Sequence, residues 1–240
     1  MKPSQEPLFL SIVIPAFNEE ENLSCSVTAL IEKLSTFVPS FELLIVDDAS
    51  RDRTGAIADQ LASNDPRVRV FHHLQNRGIG AGFVTGAHNA RGEWFMLIPA
   101  DLAMDLDQLP KYLSAARHAD VVVGLRSDKS DYTLVRRLVS WSNIMLVRLL
   151  FGMHERQFQY ISLYRTRILR EMDIEFSSSA FFWPEVLIKA RASGYQLTSV
   201  EIHYVPRRSG KATGADPKLI LRTVRDMLYF WLRGDWRRKR

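Results

Sequence analysis

Short, continuous apolar runs alternate with longer mixed segments through the first half of the chain. Runs of this kind are typical of strands that are buried on both faces of a sheet. The segments between them are long enough for helices, so the pattern indicates βαβ units: an α/β fold with a mostly parallel, twisted sheet and helices on both faces. We predict strands at residues 8–16, 41–48, 68–73, 93–101 and 119–124, and helices at 19–37, 53–63, 79–90 and 107–118.

The second half is less regular, and its last predicted helix is amphipathic. One face of that helix is basic, and we expect the apolar face, with Phe230 and Trp231, to lie on an anionic membrane surface. Packing of the same face on the protein is the alternative. We divide the chain into an α/β domain, 1–216, and a basic helical segment, 217–240. The elements predicted here are helices at 133–151, 167–172, 184–192 and 217–233, and strands near 157–165 and 197–205.

The formal net charge of +5 is unevenly distributed. Residues 203–240 carry 11 Lys and Arg against 3 Asp and Glu, a local charge of +8, so the preceding residues carry −3. A basic tail on a neutral-to-acidic body favours an anionic partner, either nucleic acid, anionic lipid or a phosphate ligand. The tail lacks aromatic residues spaced for base stacking, which argues against nucleic acid.

Cysteine usage and the length of the apolar runs bear on the cellular compartment. Cys25 is the single cysteine, so the chain forms no internal disulfide, and a reducing cytoplasm fits. The first apolar run reads as a strand and not as a signal peptide, because no basic start or small-residue cleavage site accompanies it. A membrane span needs roughly 18 apolar residues, and the best candidate, 144–151, contains Arg148. We therefore expect a cytoplasmic protein that does not span a membrane.

Two acidic side chains end the second predicted strand, at the sheet edge where parallel α/β folds bind ligands. Asp47 and Asp48 repel each other unless a ligand, a cation or backbone donors compensate. Helix capping accounts for the neighbouring Ser50 or Asp52, but it explains Asp47 poorly. The acidic pair is therefore a candidate binding site.

A third acid, Asp101, ends the fourth predicted strand. A carboxylate there could hold a divalent cation that bridges two phosphates; the alternative is a helix cap, for which Asp107 is the better candidate. The glycine-rich segment 78–82 only partly matches a dinucleotide fingerprint, because Phe83 takes the third glycine position. A helix that begins here beside Arg77 could instead point its N-terminus at a nucleotide phosphate.

Three segments taken together are more specific than any single residue. In this order and spacing they resemble the family-2 glycosyltransferases with the GT-A fold, most closely the dolichol-phosphate mannose synthase branch and its bacterial polyprenyl-phosphate relatives. The resemblance implies an inverting enzyme that moves a hexose from GDP-mannose or a UDP-sugar to a dolichyl or polyprenyl phosphate. It covers the chain from about residue 8 to residue 213, and the segments are SIVIPAFNEEENL, LLIVDDASRDRTG and NRGIGAGFVTGAHNARGEWFMLIPAD.

The resemblance also implies roles for individual positions. In this family the first motif cradles the nucleoside, the acidic pair binds the base and ribose, and the D-x-D motif binds the metal and diphosphate. Cations that follow bind the acceptor phosphate, and a last basic element closes over the diphosphate. The implied residues are Pro15, Phe17, Glu19, Asp47, Asp48, Arg77, Ala100, Asp101 and Lys211 for the nucleotide sugar, Arg126 with Arg136 or Arg137 for the acceptor phosphate, and Asp101, Arg126 and Arg207 for catalysis.

Two departures from the family pattern fall on the metal and diphosphate site. Pro99 replaces the first Asp of D-x-D, which leaves Asp101 as the implied ligand of Mg²⁺ or Mn²⁺. Ala212 and Thr213 stand where the family has Ser and Lys, and Lys211 could supply the lost charge. These departures keep a weakly active or non-catalytic nucleotide-sugar-binding protein as an alternative.

The acceptor is a second open question. A phosphate monoester is already anionic at neutral pH and needs cations to position it, whereas a hydroxyl acceptor on a polysaccharide or glycolipid needs a general base. Glu185 is the carboxylate in the corresponding segment, although it could equally stabilise the first turn of its helix. With a lipid acceptor, we expect the enzyme at the cytoplasmic face of a membrane, bound to its surface or to a membrane-embedded partner.

Overall fold

Within the residues that it describes, the computed structural model forms one seven-stranded sheet. It describes residues 9–102, 104–127, 133–158, 161–203 and 217–237. The strands are β1 (Phe9–Ala16), β2 (Ser40–Asp47), β3 (Val68–His72), β4 (Trp94–Leu97), β5 (Val121–Arg126), β6 (Ser162–Arg165) and β7 (Leu197–Ile202). Their order across the sheet is β3-β2-β1-β4-β6-β5-β7.

Six of these strands point in the same direction. Strand β1 pairs in parallel with β2 and β4, β2 with β3, and β5 with β7, whereas β6 is antiparallel to both β4 and β5. The carboxyl ends of the six strands therefore meet at one side of the sheet, which we call the carboxyl edge. The predicted α/β class and mostly parallel sheet are confirmed. The reversal of β6 was not predicted, because an apolar run carries no information about strand direction.

Helices cover both faces of this sheet, as continuous apolar strands require. The α-helices in the described ranges are α1 (Leu23–Ser35), α2 (Thr54–Asn64), α3 (Ile79–Asn89), α4 (Leu109–Ala115), α5 (Leu134–Phe151), α6 (Thr166–Glu171), α7 (Phe182–Ala192) and α8 (Pro217–Arg233). Helices α1, α2 and α4 contribute Leu30, Ala58 and Tyr112 to the core on one face. Helices α3 and α7 contribute Phe83 and Leu187 to the core on the other face.

Helix α3 lies very close to β1, and its glycines permit this approach. A Cβ atom on Gly86 would lie 2.4 Å from Cγ2 of Val13, and one on Gly82 would lie 3.0 Å from Cβ of Pro15. Larger side chains at these positions would push the helix away from the strand. Close packing therefore explains Gly82 and Gly86 without a dinucleotide fingerprint, whereas Gly78 has a positive φ of 84°.

Helix α8 packs on the core shared by α3, α6 and α7. Phe230 is completely buried, and its ring centroid lies 5.5 Å from that of Phe181. The expectation that Phe230 faces a membrane is wrong, because the ring belongs to the core; Trp231 is half-buried beside it. The outer face of α8 instead exposes Leu221 and Leu232. None of the helices in the described ranges has both the length and the apolar character needed to cross a bilayer.

Two boundaries differ from the sequence prediction beside the carboxyl edge. Helix α1 begins at Leu23 and not at residue 19, because the N–H groups of Asn22 and Leu23 both bond to the Glu19 carbonyl and close a turn first. Strand β4 ends at Leu97 and not at residue 101, because the chain turns there and the N–H of Leu102 bonds to the carbonyl of Pro99. Irregular backbone therefore follows β1 and β4 at this edge.

Candidate active site

The loops after β1 and β2 are locked together at the carboxyl edge. The parallel register places Ala16 opposite Asp47, so the two loops leave the sheet side by side. The N–H of Asn18 donates to Oγ of Ser50 at 3.0 Å, and the N–H of Arg51 donates back to Oδ1 of Asn18 at 2.8 Å. Asn18 has a φ of 56°, a left-handed conformation that Asn tolerates better than most residues. These reciprocal bonds fix the backbone of the first motif.

Further bonds between the same loops fix the position of Glu19. Its N–H donates to Oγ1 of Thr54 at 2.8 Å, and its carboxylate accepts a bond from Nδ2 of Asn22 at 2.8 Å. Asp52 accepts bonds from the N–H of Thr54 at 2.9 Å and from the N–H of Glu20 at 3.3 Å. Asp52 therefore serves the loop, but it does not cap α2 as predicted, because the N-cap position is Arg53 and makes no side-chain cap bond. Glu19 is held half-buried beside the strand ends.

Asp47 is a buried carboxylate with two protein partners. Its Oδ1 accepts a bond from the N–H of Ser50 at 3.0 Å, and its Oδ2 lies 3.0 Å from Nδ1 of His72. Burial would raise the pKa of Asp47, but the hydrogen bonds with Ser50 and His72 outweigh this effect and lower it. Hydrogen bonds with Asp47 and Asp59 in turn raise the pKa of His72. A carboxylate has about four acceptor sites, so Asp47 has room for a further donor, such as one from a base or a ribose.

Asp48 organises the turn that precedes α3. Its carboxylate accepts the N–H of Arg77 at 2.9 Å and the N–H of Gly78 at 2.7 Å. Nδ1 of His73 lies 2.6 Å from the same carboxylate, and Nε2 of His73 lies 2.9 Å from Oγ1 of Thr85. Donors of the protein thus surround Asp48, whose evident role is to position the Arg77 turn. Asp47 is the better candidate of the pair for direct contact with a nucleoside.

Three of the remaining predicted nucleotide residues surround this acidic pair. Phe17, in the loop after β1, is 42% exposed, and the side chain of Arg77 is exposed on the turn that Asp48 holds. Pro15, at the end of β1, is half-buried beside α3. The ends of β1 and β2 and the start of α3 therefore lie together, as the sequence predicted.

The turn after β4 carries Asp101. The carbonyl of Ala100 accepts a bond from Oγ of Ser26 at 2.6 Å, which ties the turn to α1, and Asp101 lies half-buried next to it. The cap of the following 3-10 turn is Asp105, whose Oδ1 accepts the N–H of Asp107 at 2.9 Å. The expectation that Asp107 is the cap is wrong; its side chain pairs with a lysine of α1. Capping therefore does not account for Asp101.

A divalent metal at this turn would depend on the substrate for most of its ligands. Among the described residues, no three His, Cys, Asp or Glu side chains converge as a metal site. Mg²⁺ typically keeps several waters and binds one or two carboxylates together with substrate phosphates. The single carboxylate of Asp101 fits that arrangement.

Arg126 ends β5 at the same edge. The residue is 6% exposed, and its backbone is clamped by Gln157, which accepts from its N–H at 3.1 Å and donates to its carbonyl at 3.0 Å. Arg137 is exposed on the first turn of α5. The side chain of Arg136, and all of Arg207 and Lys211, lie outside the described residues.

Glu185 has the environment of a structural carboxylate. It is completely buried and accepts the N–H groups of Glu175 and Phe176 at 2.8 and 2.9 Å and Nζ of Lys189 at 2.7 Å. Burial raises its pKa, although the neighbouring ammonium and backbone donors act in the opposite direction. A general base must reach the proton that it removes, and these three donors enclose Glu185 inside the protein. We therefore do not assign it as a base.

Sequence reasoning missed the two histidines behind the acidic pair. In the parallel register of β2 and β3, Asp47 lies opposite His72, and His73 follows beside Asp48. The signal was present as two consecutive histidines that end an apolar run, one strand after two consecutive aspartates. It becomes informative only when the strands are known to be neighbours.

The sheet and its covering helices form an α/β fold of the GT-A type, and acids and an arginine lie at the carboxyl edge of the mostly parallel sheet, where such folds bind ligands. The chain belongs to Glycosyl transferase family 2, which matches residues 11–187, and it is a glycosyltransferase. It is 30% identical over 210 residues to the undecaprenyl-phosphate mannosyltransferase of Micrococcus luteus, covering 83% of this chain and 85% of the relative. It is 29% identical over 223 residues to the polyprenol monophosphomannose synthase of Mycolicibacterium smegmatis, covering 88% of this chain and 81% of the relative.

Solved structures share the fold at lower identity. Glucosyl-3-phosphoglycerate synthase from Mycobacterium tuberculosis with UDP superposes with a TM-score of 0.70 at 17% identity, covering 93% of this chain and 80% of that one. The same protein has been solved with Mn²⁺ and with Mg²⁺. The mannosyltransferase PcManGT from Pyrobaculum calidifontis, in complex with GDP-Man and Mn²⁺, has a TM-score of 0.64 at 16% identity, covering 87% of this chain and 59% of that one. A divalent metal thus accompanies a nucleotide ligand in structures of both proteins.

Proposed function

We propose that this glycosyltransferase transfers a hexose from a nucleotide-diphosphate sugar to a polyprenyl phosphate, with inversion at the anomeric carbon. The proposal rests on the arrangement of the carboxyl edge. Asp47, the acid that we assign to the nucleotide, is the last residue of β2, and the buried cation Arg126 is the last residue of β5, a strand that runs in the same direction. The two similar relatives are a mannosyltransferase that acts on undecaprenyl phosphate and a polyprenol monophosphomannose synthase, which supports this acceptor and favours mannose.

In the proposed reaction, an oxygen of the acceptor phosphate attacks the anomeric carbon. The bond from that carbon to the donor diphosphate breaks, and the nucleoside diphosphate leaves with the bonding electrons. The second pKa of a phosphate monoester is about 6, so the nucleophile is already anionic and needs no strong base. Arg126, with Arg136 or Arg137, would position that phosphate and offset its charge. The burial of Glu185 removes the candidate base, so it favours this acceptor over a hydroxyl.

The donor would lie across the ends of β1, β2 and β4. Asp47 would accept a bond from the base or ribose, and Phe17 offers an exposed ring beside it. Pro15, Glu19 and Arg77 would complete the nucleoside site, and Asp48 would hold the Arg77 turn in place.

The diphosphate would lie next to Ala100 and Asp101. A bound Mg²⁺ or Mn²⁺ would neutralise charge on the leaving diphosphate, with Asp101 as its protein ligand. Arg207 and Lys211 are proposed to close over the diphosphate from the segment before α8. A lipid acceptor would place the enzyme at the cytoplasmic face of a membrane, bound to the surface or to a membrane-embedded partner.

Asp101→Ala tests the assignment of the diphosphate site. We expect transfer to fall by roughly 100-fold or more, the cost of losing one group that stabilises charge in a transition state. The melting temperature should stay close to that of the wild type, because Asp101 is half-buried on a turn and not part of the core. The matched control is Asp107→Ala, an exposed acid a few residues away. Activity of Asp101→Ala within a few-fold of the control would refute the role.

A donor panel identifies the nucleotide. GDP, UDP and other nucleoside diphosphates are added to the full chain, each with and without Mg²⁺ or Mn²⁺, and the melting temperature is measured. A ligand that binds only the native state raises it, by an amount equivalent to about 2.7 kcal/mol at 100 times its Kd. We expect one diphosphate to stabilise the chain, and Asp47→Asn to weaken that effect. Stabilisation by none of them would contradict a donor site at this edge.

A further inference from the structure

Helix α5 exposes an apolar stripe on the side opposite its buried residues. Val147 and Phe151 face the core. The stripe residues recur every three or four positions and therefore lie on one side of the helix, over a length of about 22 Å. We define the α5 stripe as Leu134, Leu138, Trp141, Met145 and Leu149; four of them are exposed, at 83%, 64%, 59% and 80% for Leu134, Leu138, Trp141 and Leu149.

Arginines line one edge of this stripe. Arg137, Arg148 and Arg156 surround a surface groove of about 400 Å³ that Trp141 also lines. Helix α5 contains no Asp or Glu, so no acid within the helix offsets its arginines. Within the described ranges, neither Arg148 nor Arg156 forms an ion pair with a carboxylate. The α5 stripe therefore combines apolar side chains with a one-sided positive edge.

The groove lies close to the candidate active site along the chain. Arg156 immediately precedes Gln157, whose amide clamps the backbone of Arg126 at the end of β5. Whatever binds the groove is therefore held near the strand end that we assign to the acceptor phosphate.

We propose that the α5 stripe and its basic edge bind the anionic face of a lipid bilayer. An amphipathic helix with an apolar stripe beside cations lies in the plane of the interface, with its apolar side chains among the acyl chain ends. Trp141 would then lie at the headgroup level, and Arg148 and Arg156 would contact lipid phosphates. The purpose of this docking surface, which is to bring β5 to the lipid acceptor, rests on the proposed function; the binding itself does not.

Charge selects this occupant over a second copy of the chain. A two-fold dimer through the α5 stripe would bring the same arginine edge of both copies into one interface, where like charges are unfavourable. A bilayer that contains anionic lipids offers complementary charge along the whole stripe. Helix α8 lies against α5 and adds the exposed Leu221 and Leu232 to the apolar surface nearby.

The test is binding of the full chain to vesicles, without donor or acceptor. Phosphatidylcholine vesicles with and without phosphatidylglycerol are sedimented at low and high salt. The double variant Arg148→Gln, Arg156→Gln should weaken binding to the anionic vesicles by about 30-fold, because each surface cation near an anionic bilayer contributes roughly 1 kcal/mol. Leu134→Gln, Leu138→Gln and Leu149→Gln together should weaken it at least tenfold. The matched control replaces the exposed Leu74, Arg91 and Arg117 by Gln and should bind as the wild type does.

Trp141 supplies an independent readout of depth. Brominated lipids should quench part of the tryptophan fluorescence of the wild type, and Trp141→Phe should remove that part. Wild-type protein that ignores anionic vesicles at low salt, or stripe variants that bind as the control does, would overturn the proposal. Gel filtration that shows a dimer converted to a monomer by the leucine substitutions would also overturn it, in favour of a second copy. Vesicle binding without sugar transfer would leave the docking surface standing and reject the proposed function instead.

Discussion

Replacing Glu185 by glutamine changes one carboxylate oxygen to an amide group in a fully buried position. The carboxylate accepts three donors, two on Oε1 and one on Oε2. A glutamine can offer one carbonyl oxygen, so its NH₂ group must face at least one of the donors, from Glu175, Phe176 or Lys189. That donor loses its partner, and the ion pair with the Lys189 ammonium becomes a hydrogen bond from a charged donor to a neutral group.

The expected destabilisation follows from these two losses. A buried donor without a partner costs about 1–3 kcal/mol, and the loss of the negative charge opposite the Lys189 ammonium adds about 1 kcal/mol. The sum is about 3 kcal/mol, which lowers the melting temperature of a chain of this size by roughly 6–12 °C. Catalysis should be retained at a temperature where the variant is folded, because Glu185 is assigned no step of the reaction.

The assay measures the melting temperature and the transfer rate of Glu185→Gln side by side. Its control is Glu171→Gln, the same chemical change in an exposed acid that bonds to the hydroxyl of Tyr195; we expect an effect of about 0.5 kcal/mol or less. A Glu185→Gln variant that melts like the wild type but no longer transfers sugar would refute the structural role. The hydroxyl-acceptor mechanism with Glu185 as its base would then be the better account.

Two further predictions concern the acid site and the packing beneath it. Hydrogen bonds to carboxylates raise the pKa of His72 above its ordinary value of 6.5, so its contribution to stability is full below pH 6.5 and is lost as the pH rises through the raised pKa. The difference in melting temperature between wild type and His72→Gln should therefore shrink as the pH rises, and a pH-independent difference would contradict the assignment. The control is His118→Gln, at an exposed position. Gly86→Ala places a Cβ 2.4 Å from Cγ2 of Val13 and should destabilise the chain by about 1–3 kcal/mol in urea unfolding, while an unchanged midpoint would show that α3 can shift at little cost.

The part of the fold that forms the nucleotide site could be predicted from the apolar pattern. Strands β1 and β2 are buried on both faces, so their runs are continuous, and the acids that interrupt the pattern at Asp47 and Asp101 mark where the strands end or the chain turns. A polar residue directly after a buried run has few positions available other than the sheet edge. For this reason the sequence located Asp47 and Asp101 at the same edge without knowledge of the strand order.

Other features depend on tertiary contacts that leave no periodic signal. The antiparallel β6 reads like any buried strand, and the partners of Asp48 include His73, which comes 25 residues later. The role of Phe230 was misread, and that of Glu185 was left open, for a related reason. An apolar face on a helix does not say whether it meets protein or lipid, and an acid in a first helical turn does not show which donors surround it.

The acceptor is the most direct test of the account. The full chain is incubated with Mg²⁺ or Mn²⁺ and with a sugar donor that carries the nucleoside diphosphate found to stabilise the protein. One reaction contains a polyprenyl phosphate as acceptor, and a second contains the polyprenol of the same chain length. Sugar transferred into the lipid fraction is then measured for both. The account predicts transfer to the phosphate, with the free alcohol at background, and loss of that transfer in Arg126→Ala. Transfer to the alcohol at a comparable rate, or transfer to the phosphate that survives Arg126→Ala, would contradict it.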